Sequence, residues 1–118
     1  LSPKNPSYHP HYEGGQVARD EAYHQGTIWP WWLWEYLCAA RRVKGEHEGG
    51  VVARQILETM EREMHCYGLG TIGEVFDGDP PHAHGGAYAQ AWSVAAVMRI
   101  AESVHPELFA GSQMGGEV

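Results

Sequence analysis

Two segments of this chain are apolar on nearly every side of a helix, and a third lying between them is apolar on one side only. IWPWWLWEYLCAARRV, from Ile28 to Val43, carries apolar side chains around almost its whole circumference. Only Arg41 and Arg42 interrupt them, at the C-terminal end where the helix dipole favours cations. Pro30 suits the first turn, where its missing N–H is no loss. GGAYAQAWSVAAVMRIAESV, from Gly85 to Val104, repeats the pattern until Arg99 and Glu102, with Pro106 to end it. Between the two, Val52, Ile56, Met60 and Met64 recur every four residues. Arg54, Glu58, Glu61, Arg62 and Glu63 take the other directions.

The order therefore predicts helices over residues 28–44, 50–66 and 86–104, in the sequence buried, half-exposed, buried. Such an alternation suits helical hairpins in two concentric layers, inner helices enclosed by outer ones. No strand period competes with it, although GTIGEVF could form a short extended piece. Residues 1–27 and 67–85 then become equivalent, each feeding the N-terminus of an inner helix. Backbone N–H groups and positive dipole ends gather there, so arm and loop are expected on the same side, around a pocket for polar ligands. Residues 105–118 read as a tail.

Residues 1–27 are rich in Pro, Gly, His and Tyr without a sustained period, which predicts an ordered irregular arm. The loop is more unusual. GTIGEVFDGDPPH, ending at His82, packs Glu74, Asp77 and Asp79, three glycines and two adjacent prolines among apolar neighbours. A solvated turn needs far less.

Eight Lys and Arg against fifteen Asp and Glu leave a formal net charge of −7, which argues against nucleic acid or an anionic membrane as partner. A neutral or cationic ligand fits better. The chain opens on Leu1 rather than Met and shows neither a signal-peptide run nor a stretch of membrane-span length. The expectation is a cytoplasmic piece of a longer polypeptide, with Cys38 and Cys66 as reduced thiols.

At RDEAYHQGTIWPW (Arg19–Trp31), GLGTIGEVFDGDPPH (Gly68–His82) and AQAWSVAAVMR (Ala89–Arg99) the sequence resembles the C-terminal part of glycogen-debranching enzymes of the amylo-alpha-1,6-glucosidase type. The three blocks stand in the family's order and spacing, and weaker similarity includes LSPKNPSYHPHYEGG. Two places depart from the family's pattern. Gly73 precedes the loop glutamate where Ser is usual, and His84-Gly85-Gly86-Ala87 stands where an Arg-Gly-Cys-like stretch is typical.

The resemblance implies an all-α fold, part of an (α/α)6 barrel of which about three helices are present, with the active site at the N-terminal ends of inner helices. It implies hydrolysis of α-1,6-glucosidic branch linkages in glycogen or limit dextrin by an inverting mechanism, without a cofactor. Such chemistry needs two carboxyl groups across the sugar, about 6.5–9.5 Å apart so that a water fits between. The resemblance puts the general base on Glu74 and the general acid upstream of these residues, in the remainder of a parent chain. Tyr23, Trp29 and Trp31 are the candidates to stack on the sugar. His24, Gln25, Asp77 and Gln90 are the candidates to hydrogen-bond its hydroxyls.

Each candidate also has a structural reading. Glu74 could brace the loop by accepting backbone N–H bonds, and Asp77 and Asp79 flanking Gly78 are common turn formers. Trp32, Trp34 and Trp92 read as core. His9-Pro-His11 and His82-Ala-His84 invite a metal site, but no HExxH motif accompanies them and D-G-D-P-P lacks the calcium-loop order, so no metal is expected. Two other functions fit less of the sequence. One is a non-catalytic helical domain that binds carbohydrate or merely packs; the other is a glucoamylase-like or trehalase-like hydrolase of the same architecture.

Overall fold

The computed structural model describes residues 1–110 and is mostly helical, an all-α architecture with one minor two-stranded sheet. Helices α1 (Gln16–Ala22), α2 (Trp32–Lys44) and α3 (Glu46–Cys66) are followed by strands β1 (Val75–Phe76) and β2 (His84–Gly85). Helix α4 (Ala91–Val104) and a single 3-10 turn over Pro106–Leu108 complete the order. The part of the expected tail beyond residue 110 lies outside the described residues.

α2 and α3 form a helical hairpin joined through one residue, Gly45, whose φ of +88° is a conformation that glycine adopts without penalty. Its N–H closes α2 on the Arg41 carbonyl at 2.9 Å. α4 packs across both helices. The core forms where the three meet: Leu37 of α2, Ala53, Ile56 and Met60 of α3, Ile72 of the loop, and Val97 and Ile100 of α4. Val52 and Met64 pack against this cluster, so the four-residue stripe of α3 faces inward along its length.

The helix boundaries differ from those predicted, for local reasons. α2 starts at Trp32 because Ile28 is drawn into the sheet, exchanging both backbone hydrogen bonds with Phe76 at 2.8 Å. α3 starts four residues early, at Glu46. Gly49, outside the predicted helix, is helical and buried because α2 crosses it closely: a Cβ there would overlap the Arg41 side chain. Glu46 and Glu48 in the first turn also complement the helix dipole. α4 begins only at Ala91, since residues 84–90 hydrogen-bond along the loop instead, with His84–Gly85 in the sheet and the Gln90 N–H on the Ile72 carbonyl. The arm is likewise not wholly irregular, for it contains α1.

The all-round apolar helices are not buried on all sides among the described residues. Trp32 and Tyr36 of α2 and Trp92 and Met98 of α4 are each close to half exposed or more. This corrects the reading of Trp32 and Trp92 as core. Trp34 is partly buried, under the guanidinium of Arg99 at 4.4 Å. No described helix is long and apolar enough to cross a membrane.

Candidate active site

The loop is a rail built on the two-stranded sheet and one further bridge. Residues 72–77 run antiparallel to residues 84–90, with Val75 opposite Gly85 and Phe76 opposite His84, while Ile28 closes the other side of Phe76. The pairing continues past the strands. The Glu74 N–H donates to the Ala87 carbonyl at 2.9 Å, and the Gln90 N–H donates to the Ile72 carbonyl at 2.9 Å. Val75 and Phe76 are buried, so the rail is anchored by its apolar side chains and presents Glu74 from a fixed backbone.

Glu74 is partly exposed, and one of its oxygens is spoken for: the Ala87 N–H donates to Oε2 at 2.8 Å. The loop-bracing role anticipated for this residue is therefore present. No hydrogen bond within the described residues engages Oε1. Gly86 lies against the same carboxylate with φ +69°, and a Cβ there would collide with Oε2. Glycine at this position leaves room for the carboxylate, and the same glycine lines the cleft beside it.

That cleft, of about 320 Å³, opens between arm and loop and is lined by Tyr12, Glu13, Gln16, Arg19 and Gly86. Burial raises the pKa of the Tyr12 phenol above its ordinary value, with the negative charge of Glu74 adding to the shift. Of these five only Gly86 was singled out from the sequence, as part of His84-Gly85-Gly86-Ala87, and not as a site residue. The available signal was weak: Arg19 opens the RDEAYHQGTIWPW block, and Gly14-Gly15 marks a helix start.

The arm and loop do lie together, and the loop's aspartates join them. Asp77 accepts the Tyr12 N–H on Oδ1 at 3.1 Å and pairs through Oδ2 with His11 Nδ1 at 2.8 Å. Asp79 accepts the Tyr8 hydroxyl at 3.0 Å, and the Gly78 N–H donates to the Pro10 carbonyl at 2.8 Å. Asp77 is thus a clamp with both oxygens engaged. A bracing role for Asp77 is therefore present beside its assignment as a ligand for sugar hydroxyls.

The remaining candidates fall into separate groups. Tyr23, His24 and Trp29 form one aromatic cluster, with Tyr23 meeting Trp29 edge-on at 4.5 Å between ring centroids. Trp29 is only 5% exposed, and its Nε1 donates to the Tyr23 carbonyl at 2.7 Å, so it has no free face for a sugar. That is a second correction. Trp31 is stacked against Trp32 at 4.2 Å and faces Trp92 at 5.8 Å, leaving its neighbours as the exposed rings. Gln90 holds the N-cap position of α4 without a side-chain cap bond, and Gln25 and His24 are exposed. No hydrogen bond joins Glu74 to any of these side chains among the described residues.

The histidine pairs are directed to different partners. His11 goes to Asp77, His82 Nδ1 contacts the Asp77 backbone carbonyl at 3.0 Å, and His84 Nε2 pairs with Glu63 at 3.0 Å while its ring stacks on Tyr67. Among the described residues no group of three His, Cys, Asp or Glu side chains converges on a common point. Cys38 and Cys66 are free thiols.

The His11–Asp77 contact makes the arm's attachment pH-dependent. Hydrogen bonding to the carboxylate raises the His11 pKa above 6.5, with burial opposing the shift and the charge of Asp77 adding to it. A raised folded-state pKa stabilises the docked arm fully below the unfolded value, and the contribution fades as pH rises through the raised pKa. NMR titration should show a His11 pKa above that of a free histidine, falling back in Asp77→Asn. Amide exchange at Tyr12 should quicken from pH 6 to pH 8 in the parent chain but be pH-flat, beyond intrinsic chemistry, in the variant. An unshifted His11 would remove the clamp from this account.

The chain is mainly helical, with a carboxylate held on a hydrogen-bonded loop beside a polar cleft. A family model described as amylo-alpha-1,6-glucosidase matches residues 1–99, and the chain belongs to that family, from the C-terminal region of glycogen-debranching enzymes. No curated protein and no solved structure gives a match.

Proposed function

We propose that this chain forms the base-bearing wall of an inverting glycosidase site that removes α-1,6-linked glucose stubs from glycogen or limit dextrin. The observation that carries the proposal is Glu74. Its carboxylate is fixed through one oxygen to the Ala87 N–H, and it adjoins a cleft lined by polar side chains. A water lying beyond Oε1 would be deprotonated as it attacks the anomeric carbon. The partner acid, which protonates the leaving oxygen, would come from another segment across the sugar. Further helical hairpins completing an (α/α)6 barrel in the cytoplasm would supply that segment, and they would also cover the exposed faces of α2 and α4.

The test is glucose release from phosphorylase-limit dextrin by the whole reading frame, with the anomer followed by NMR in the first minutes. Inversion of an α linkage yields β-glucose first. Release of the α-anomer would exclude the inverting mechanism, and activity on trehalose or maltose but not on dextrin would move the substrate assignment to the related hydrolases.

A second reading has one observation in its favour. Trp32 and Trp92 are 54% and 47% exposed, and exposed indole faces suit sugar rings in a binding protein without catalysis. Binding of dextrin without any release of glucose would favour it.

A further inference from the structure

The proposed base lies against Gly86 in the wall of the cleft, and the same cleft is lined by a cation with no assigned partner. Arg19 on α1 is partly buried and lines the cleft with Tyr12, Glu13, Gln16 and Gly86. In a chain with nearly twice as many acids as bases, a carboxylate would be its expected companion. Three aspartates of arm and loop are engaged elsewhere, Asp20 accepting Gln16 Nε2 at 2.9 Å, Asp77 holding His11 and Tyr12, and Asp79 holding Tyr8, while Glu13 shares the cleft without pairing with Arg19. Among the described residues the Arg19 guanidinium makes neither a salt bridge nor a side-chain hydrogen bond. Five N–H donors in a planar fork are thus available to whatever enters the cleft.

We propose that Arg19 is a substrate-orienting residue of this site, its fork gripping two adjacent hydroxyls of the glucosyl unit attacked beside Glu74. This inference rests on the glycosidase reading. The lining favours a neutral polyol over an anion. Glu13 lies in the same cleft and Glu74 adjoins it, so a phosphate or carboxylate drawn to Arg19 would face two negative groups. A sugar hydroxyl can accept from Arg19 while another donates to Glu13. Gly86 completes the arrangement, because it lines the cleft and a side chain there would press on the Glu74 carboxylate.

The experiment compares the whole protein with Arg19→Ala, Arg19→Lys and Glu74→Gln, using limit dextrin and α-glucosyl fluoride as substrates. Loss of two charge-assisted hydrogen bonds should raise KM in Arg19→Ala by about 10- to 100-fold, with kcat changed less than about 3-fold. Lysine keeps the charge but not the fork, so Arg19→Lys should fall between. Glu74→Gln should instead lose kcat. An unchanged KM in Arg19→Ala beside an inactive Glu74→Gln overturns the Arg19 assignment and leaves the base in place. A fully active Glu74→Gln overturns the glycosidase reading and the inference with it. Should Arg19→Ala fail to fold, Arg19→Lys decides: a several-fold rise in KM is expected, and none would overturn the proposal. Competitive inhibition by inorganic phosphate that Arg19→Ala abolishes would also overturn it, by making the cleft an anion site.

Discussion

Glu74→Gln in the whole enzyme is expected to reduce glucose release from limit dextrin by about 10²- to 10⁴-fold, the usual worth of a positioned general base. The substitution is informative because of what it preserves. A glutamine carbonyl can still accept the Ala87 N–H that Oε2 accepts now, so the rail between residues 72–77 and 84–90 keeps its bond. The rail is also held by Val75 and Phe76, which are buried and untouched by the change. What disappears is the ability to take a proton from water. A purely bracing role predicts the opposite outcome, full activity in Glu74→Gln and damage only in Glu74→Ala, where Ala87 loses its acceptor. Comparing both variants, with thermal midpoints measured alongside, separates catalysis from support.

Gly78→Ala should be the most disruptive small change in the loop, costing about 1–3 kcal/mol of stability. A Cβ at Gly78 would overlap the Gly26 carbonyl oxygen and the Tyr8 hydroxyl. One obstacle is backbone and cannot swing aside. Gly26 is equally confined, its own Cβ position lying 2.7 Å from the His9 carbonyl oxygen and from the Tyr8 ring. Three backbone segments therefore meet with room for no side chain, at the point where arm, turn and loop are clamped together. Forcing them apart would strain the Gly78 N–H bond to Pro10 and both aspartate contacts to the arm. The expected results are a lower urea midpoint, a His11 pKa returned toward that of a free histidine, and rapid proteolysis within residues 1–12. A variant with unchanged midpoint and a His11 pKa as raised as in the parent chain would show that the clamp tolerates slack.

How much of this was legible beforehand depends on the range of the interaction concerned. The stripe of Val52, Ile56, Met60 and Met64 pointed to one helix face, and that face is the one packed against the core. Periodicity is a local signal and needs no knowledge of the partner. Boundaries were less legible, because tertiary contacts moved them: Ile28 left its helix to pair with Phe76, and Gly49 joined one because Arg41 packs across it. The tryptophans show the same limit. Trp29 and Trp31 lie two residues apart on a segment that reads as a single apolar run, yet Trp29 is sealed by its bonds to Tyr23 and Thr27. Trp31 is stacked between two rings that remain exposed.

The candidate site divides in the same way. Glu74 and its loop stood out because so many carboxylates, glycines and prolines have no purpose in an ordinary connection, and the family's motif lies there. Asp77 was legible as important but not as a clamp, since its partners His11 and Tyr12 lie more than sixty residues away in sequence. Arg19 was invisible as a site residue, because a charged residue on a short helix reads as solvated until the cleft around it is known.

By itself, then, the sequence determined three helices, the inward face of α3, the family and the unusual loop around Glu74, all properties carried by neighbouring residues or by a contiguous motif. Only the tertiary structure decided which aspartate is tied up, which indole is buried and which arginine faces the cleft. Those outcomes depend on hydrogen bonds and close approaches between segments distant in the chain, where one occupied oxygen or one missing Cβ settles what a side chain is free to do.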